Sequence, residues 1–122
     1  EDYVYAFELT SGGKRLLIAM DELNGWRPQE ELRGCDLAVI PRGIDEHDPF
    51  TGVRRIASDH SILRYEATFA ETLEIVDRLA ADRVVMSHIE EVDGLSFDDL
   101  VRLQATVGRG ITFAYDGLAI DV

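Results

Sequence analysis

The sequence predicts an α/β domain, and three observations carry the prediction. Short apolar runs at residues 16–20, 37–40 and 84–86 have the length and branched-residue content of buried strands. Two longer stretches, beginning at Thr68 and Ser96, repeat their apolar residues every three or four positions, as amphipathic helices do. From residue 36 onward strand-like and helix-like stretches alternate, which is the pattern of a mixed α/β layer. At 122 residues the chain is at most one ordinary domain, and 46% hydrophobic residues suffice for a core.

The elements follow in order. Residues 3–9 alternate and carry Tyr3, Tyr5 and Phe7, a strand signal. Ser11-Gly12-Gly13 turns the chain into residues 14–20, which stay apolar long enough to predict a strand buried on both faces. Pro28 suits the first turn of a short helix over residues 28–32, with Gly34 past its end. Residues 36–40 are a third strand, stopped by Pro41. Residues 41–65 are irregular, with a helical turn expected within 59–64, and a long loop in a compact domain commonly carries function. Thr68 and Glu71 have the spacing of a capping box, and Phe69, Leu73, Val76 and Leu79 share one face of the helix that follows. Residues 83–87 are the next strand. Ser96 opens a second helix with Phe97, Leu100, Val101, Leu103 and Val107 as its apolar residues and Gly108 as its stop. Two last strands, 110–115 and 118–122, are expected around the hairpin turn Asp116-Gly117. The predicted order is β-β-α-β-loop-α-β-α-β-β. No glycine-rich phosphate loop follows a strand, so a Rossmann unit is excluded.

Twelve basic against twenty-four acidic residues leave a charge of −12, which argues against nucleic-acid backbone as a partner. Cys35 is the single cysteine, so there is no internal disulfide, and its apolar surroundings predict a buried thiol. No apolar run approaches the ~18 residues that span a membrane. The chain opens Glu1-Asp2, without a basic leader or an initiator methionine. A cytoplasmic protein without membrane contact is expected, in a chain that is processed or cut from something longer.

Two strands end in groups that carry chemistry. Residues 83–87 run into His88, followed by Glu90 and Glu91; residues 15–20 run into Asp21 and Glu22. In an open α/β sheet the residues just past the carboxyl ends of strands face the ligand crevice. Asp21 and His88 are a carboxylate and an imidazole suited to a divalent metal, although a zinc site takes about three protein ligands. Each also has a plainer use on spacing alone: Asp21 as a turn or cap residue, His88 as a core histidine bonded to a carbonyl. Glu66, directly before the Thr68 cap, and His60 are candidate proton donors, and surface roles compete for both. Glu90, Glu91 and His47 are further polar candidates that solvation explains more readily than function, and Trp26 and Arg27 either cover a substrate or pack. An apolar strand ending in Asp also opens phosphoacceptor receiver domains. Those need a lysine near the site, and Lys14 starts the strand that ends at Asp21, so it sits at the wrong end.

Ala19-Met20-Asp21-Glu22, Ser87-His88-Ile89-Glu90-Glu91 and Phe113-Ala114-Tyr115-Asp116-Gly117-Leu118, in this order and spacing, resemble the C-terminal half of a metallo-β-lactamase-fold hydrolase. The resemblance is to the phosphodiesterase-like branch, which holds the accessory phosphodiesterase of the carbon–phosphorus lyase pathway and, more distantly, the tRNA 3′-processing nucleases. It implies that residues 1–122 are half of a four-layer αββα sandwich, a mixed sheet with flanking helices. It implies that Asp21 bridges two divalent metal ions, zinc or manganese, and that His88 binds the second. The implied reaction is hydrolysis of a small phosphodiester by a metal-bound hydroxide, with Glu66 or His60 as the acid for the leaving group. The family's His-x-His-x-Asp-His motif is absent from these residues, as is the histidine before the Asp strand, so most metal ligands are expected outside them. Alone, the 122 residues are expected to be inactive, and a homodimer or pairing with the missing half is the expected assembly. The alternative is a non-catalytic half-fold used for assembly or binding.

Overall fold

The computed structural model describes residues 4–122; Tyr3, expected to open the first strand, lies outside them. Five strands form one sheet in sequential order: β1 (Ala6–Ser11), β2 (Lys14–Ala19), β3 (Leu37–Pro41), β4 (Arg83–Ser87) and β5 (Ile111–Phe113). β1 and β2 are an antiparallel hairpin, and β2 through β5 are parallel. α1 (Phe69–Leu79) joins β3 to β4, and α2 (Phe97–Val107) joins β4 to β5.

This strand order decides where the core sits. Crossovers between parallel strands are right-handed, so steps taken in one direction across a sheet put every connection on the same face. That face carries the core. Leu17, Ala38, Val84 and Ile111 lie in one register row, with Ala19, Ile40, Met86 and Phe113 beside them. Phe69, Ile75, Val76 and Leu79 of α1 and Leu103 of α2 pack on this surface. Burying one such leucine contributes about 1.5–3 kcal/mol.

The opposite face is open at the β1–β2 end. Phe7 pairs with Ile18 and Leu9 with Leu16; Phe7 is 61% exposed, and Leu16 and Ile18 are only half-buried. The expectation that residues 14–20 are buried on both faces is therefore corrected. Their apolar run is continuous, but only Leu17 and Ala19 face the helices.

Caps set the helix boundaries. Thr68 accepts a bond from the Glu71 amide at 3.2 Å, and Ala80 ends α1 in the left-handed conformation. Desolvation raises the Glu71 pKa, and the Thr68 amide lies near enough to the carboxylate to pull it part of the way back, without closing the full return bond expected. The reciprocal box occurs at α2 instead, where Ser96 and Asp99 each accept from the other's amide, at 3.1 and 3.0 Å. Only Leu103 of α2 is fully buried, and Phe97 and Val101, expected inside, are largely exposed because α2 lies at the margin of the sheet over short β5.

Three further expectations change. The helix over residues 28–32 is a single 3-10 turn, Glu30–Leu32, and that within 59–64 is the 3-10 turn Ser61–Arg64. Asp116-Gly117 does turn the chain, with the Leu118 amide bonded to the Tyr115 carbonyl at 3.0 Å. Residues 118–122 form no strand; the segment runs back until the Asp121 carbonyl meets Arg83. β5 is three residues long and offers too little edge for a final hairpin partner.

Candidate functional site

Asp21, Arg42 and His88 follow β2, β3 and β4, three adjacent parallel strands, so all leave the sheet at its carboxyl edge. β2 and β4 are not neighbours, yet Asp21 and His88 line one pocket of about 130 Å³, with Pro41 and Gly43 of the intervening strand end between them. Glu22, Glu66 and Glu90 line it too. Of the residues that sequence reasoning singled out, Asp21, His88 and Glu66 are thus brought together. His60 is not. It caps the 3-10 turn at 61–64 through Nδ1, which accepts from the Ile62 amide at 3.1 Å, and it lines a separate cleft with Asp45, Arg55 and Val92. Glu91 and His47 are exposed outside the Asp21 pocket, Asp116 lies on the far turn, and Arg27 lines a cleft beside α1.

His88 has φ of +52°, the left-handed region, directly after a strand. The other non-glycine residues with positive φ, Ala80 and Arg109, sit in the turns that follow helix ends. A residue held this way costs roughly 1–3 kcal/mol and persists where its surroundings over-determine it. The conformation leaves the His88 side chain exposed at the pocket, where Nε2 lies 2.9 Å from Glu90 Oε1. Glu66 is half-buried, and its pKa is raised, first by burial and then by the charges of Glu22 and Glu90. A carboxyl group held protonated to higher pH is better suited to giving up a proton to a leaving group.

Neighbouring groups hold the rim in shape. Glu22 Oε1 accepts from the Asn24 amide at 2.7 Å and from the Ala67 amide at 2.8 Å, tying the loop after β2 to the segment that enters α1. Gly43 has φ of +87°, and a Cβ there would lie 2.7 Å from the Ala67 carbonyl oxygen, so only glycine lets the two segments approach.

Arg42 is fully buried. It bonds Asp45 at 2.9 Å and Asp93 at 3.3 Å, and its guanidinium lies 4.2 Å from the centroid of the Phe69 ring. Arg55 closes the network by donating to the Asp93 and Val92 carbonyls. Burial raises the Asp45 pKa, against the pull of Arg42. The cluster fastens the 41–66 loop to the segment after His88. Sequence reasoning missed it, because Arg42, Arg55 and Asp93 look like surface charges until the chain folds.

Asp21 and His88 offer a hard oxygen and an imidazole nitrogen at one rim, which fits two positions of a divalent-metal site. Among the described residues no group of three or more His, Cys, Asp or Glu side chains is placed to hold an ion. The pair offers two donors, fewer than the about three protein ligands that a zinc site takes. No helix among the described residues is long and apolar enough to cross a membrane. The chain matches no protein-family model, no curated protein and no solved structure.

Proposed function

We propose that this chain is the C-terminal half of a metallo-β-lactamase-fold hydrolase acting on a small phosphodiester, with Asp21 and His88 supplying ligands to a dinuclear zinc or manganese site completed from outside these residues. The observation that carries the reading is the meeting of Asp21 and His88, 67 positions apart, with Glu66 in one pocket. The strained backbone of His88 supports it, as does the open sheet face, which suits a second sheet packed back to back in a four-layer sandwich.

The metals would supply Lewis acidity to the phosphoryl oxygens and to the attacking water. Asp21 holds and orients from the β2 end, and His88 from the β4 end. Glu66, which lines the same pocket and has a raised pKa, would protonate the leaving oxygen. The acidic surface disfavours long polyanions and leaves small substrates as the better fit.

The test is turnover of bis-p-nitrophenyl phosphate with added zinc or manganese. Residues 1–122 alone are expected to be inactive, and the protein in its full natural length active. Asp21→Ala and His88→Ala should each lower kcat at least 100-fold in that protein. Full activity in both variants would refute the reading. The second reading, a non-catalytic half-fold for assembly, is favoured by the lack of a three-donor cluster among the described residues. It predicts no bound metal and unchanged partner binding in both variants.

A further inference from the structure

A larger cleft, of about 410 Å³, adjoins the Asp21 pocket, and the two share Glu22 and Leu23 as a wall. Its lining is aromatic. Tyr5, Trp26 and Tyr65 are three of the five Tyr and Trp residues of the chain, and Arg64 is the only cation among the lining residues. The cleft forms because β1 runs antiparallel to β2, which places the start of β1 beside the loop that leaves the end of β2. Trp26 is anchored: it is half-buried against the core, and its amide bonds the Leu23 carbonyl at 3.0 Å. Tyr65 and Tyr5 are 70% and 67% exposed, and among the described residues neither ring is stacked on another aromatic ring. The Glu22 carboxylate is turned to the Asn24 and Ala67 amides, so one of its oxygens is already committed to backbone.

We infer that this cleft is a binding subsite for a planar aromatic ring bearing a phosphate, with the ring against Trp26, Tyr5 and Tyr65 and the phosphate held by Arg64. Flat rings stack on aromatic side chains without regard to their detailed hydrogen-bond pattern, at about 1–3 kcal/mol per ring. A guanidinium matches a phosphate in charge and in fork geometry. In a chain of charge −12, one arginine at an aromatic cleft selects a ligand with a single phosphate over a polyanion. The cleft volume falls within the range of small-molecule sites. The inference rests on the hydrolase reading only for what happens to the phosphate once it reaches the neighbouring pocket.

The experiment is calorimetric titration of the purified protein, in its full natural length and with metal chelated, using adenosine 5′-monophosphate, adenosine and ribose 5-phosphate as probes. Adenosine 5′-monophosphate should bind at least tenfold more tightly than either of the others. Tyr65→Ala should weaken it about tenfold, and Tyr65→Phe should restore it, because the ring and not the hydroxyl is used. Arg64→Ala should weaken the nucleotide and leave adenosine unchanged. Equal affinity for the nucleotide and ribose 5-phosphate would overturn the inference, as would a Tyr65→Ala protein that binds like the parent. The comparison of probes on the unaltered protein decides the matter even where a variant folds poorly. Binding without turnover of a phosphodiester would refute the hydrolase reading and keep the cleft; turnover without nucleotide binding would do the reverse.

Discussion

At the scale of single residues, His88 separates the proposed role from stability. Its positive φ is paid for by the rest of the fold, and its exposed contact with Glu90 contributes little. His88→Gly should therefore raise stability, by about 0.5–1 kcal/mol, in urea unfolding followed by circular dichroism. A loss above about 1 kcal/mol would make His88 a structural residue. Arg42 behaves in the opposite way. Arg42→Met keeps the apolar stem and leaves Asp45 and Asp93 buried without their main cation, so unfolding should become easier by about 3–5 kcal/mol. The same denaturation series reads both variants. Asp21 and His88 were legible as candidates because strand ends and their polar terminators are local in sequence. Arg42, Glu22 and Gly43 were not, since the partners that give them meaning are side chains and backbone up to 51 positions away.

At the scale of elements, carboxylates that cap backbone ends and carboxylates whose charged form the fold disfavours pull stability in opposite directions with pH. Asp48 takes the amides of Phe50 and Thr51, Asp99 that of Ser96, and Asp36 that of Arg15, and these bonds hold their pKa values below 3.8. Their contribution is present above the unfolded value and is lost as pH falls through the lowered folded values. Asp45, Glu66 and Glu71 are raised instead, chiefly by burial. For them the fold favours the protonated form, so stability declines as pH rises above 3.8 for Asp45 and above 4.5 for the two glutamates. Thermal melts across the pH range should show the highest Tm at about pH 5, with a steep acid limb and a shallower decline toward neutrality. A maximum at pH 8 would mean that the desolvation of buried Asp45 and half-buried Glu66 is offset by other contacts.

At the scale of the whole molecule, one face of the sheet is covered by helices and the other is open at the β1–β2 end, with Phe7 and Leu9 on the edge strand and Tyr5 just before it. Exposed aromatic edges of this kind associate. Residues 1–122 alone should sediment as a concentration-dependent mixture above the 13.7 kDa monomer, and Phe7→Lys should return them to the monomer. A monomer at all concentrations would show that the charge of −12 is enough to keep the face solvated.

What the sequence by itself determined is what depends on neighbours in the chain. Periodicity and caps located α1, α2 and all five strands, the first of them shifted by about two residues along the chain. Strand ends marked Asp21 and His88, and the apolar setting of Cys35 marked a thiol that is indeed buried. Where the signal was only local composition, as at residues 28–32 and 118–122, it overstated regular structure, because short segments need packing partners to hold a helix or strand. Tertiary structure alone decided the sequential strand order, and with it the one-sided core. The apolar run of β2 could not disclose this, since a strand covered on one face and a strand covered on both can read alike. It also decided that Glu66 joins Asp21 and His88 while His60 does not. Both belong to one irregular stretch, and only the closure of the 41–66 loop by Arg42, Asp45 and Asp93 places one at the sheet edge and the other in a separate cleft.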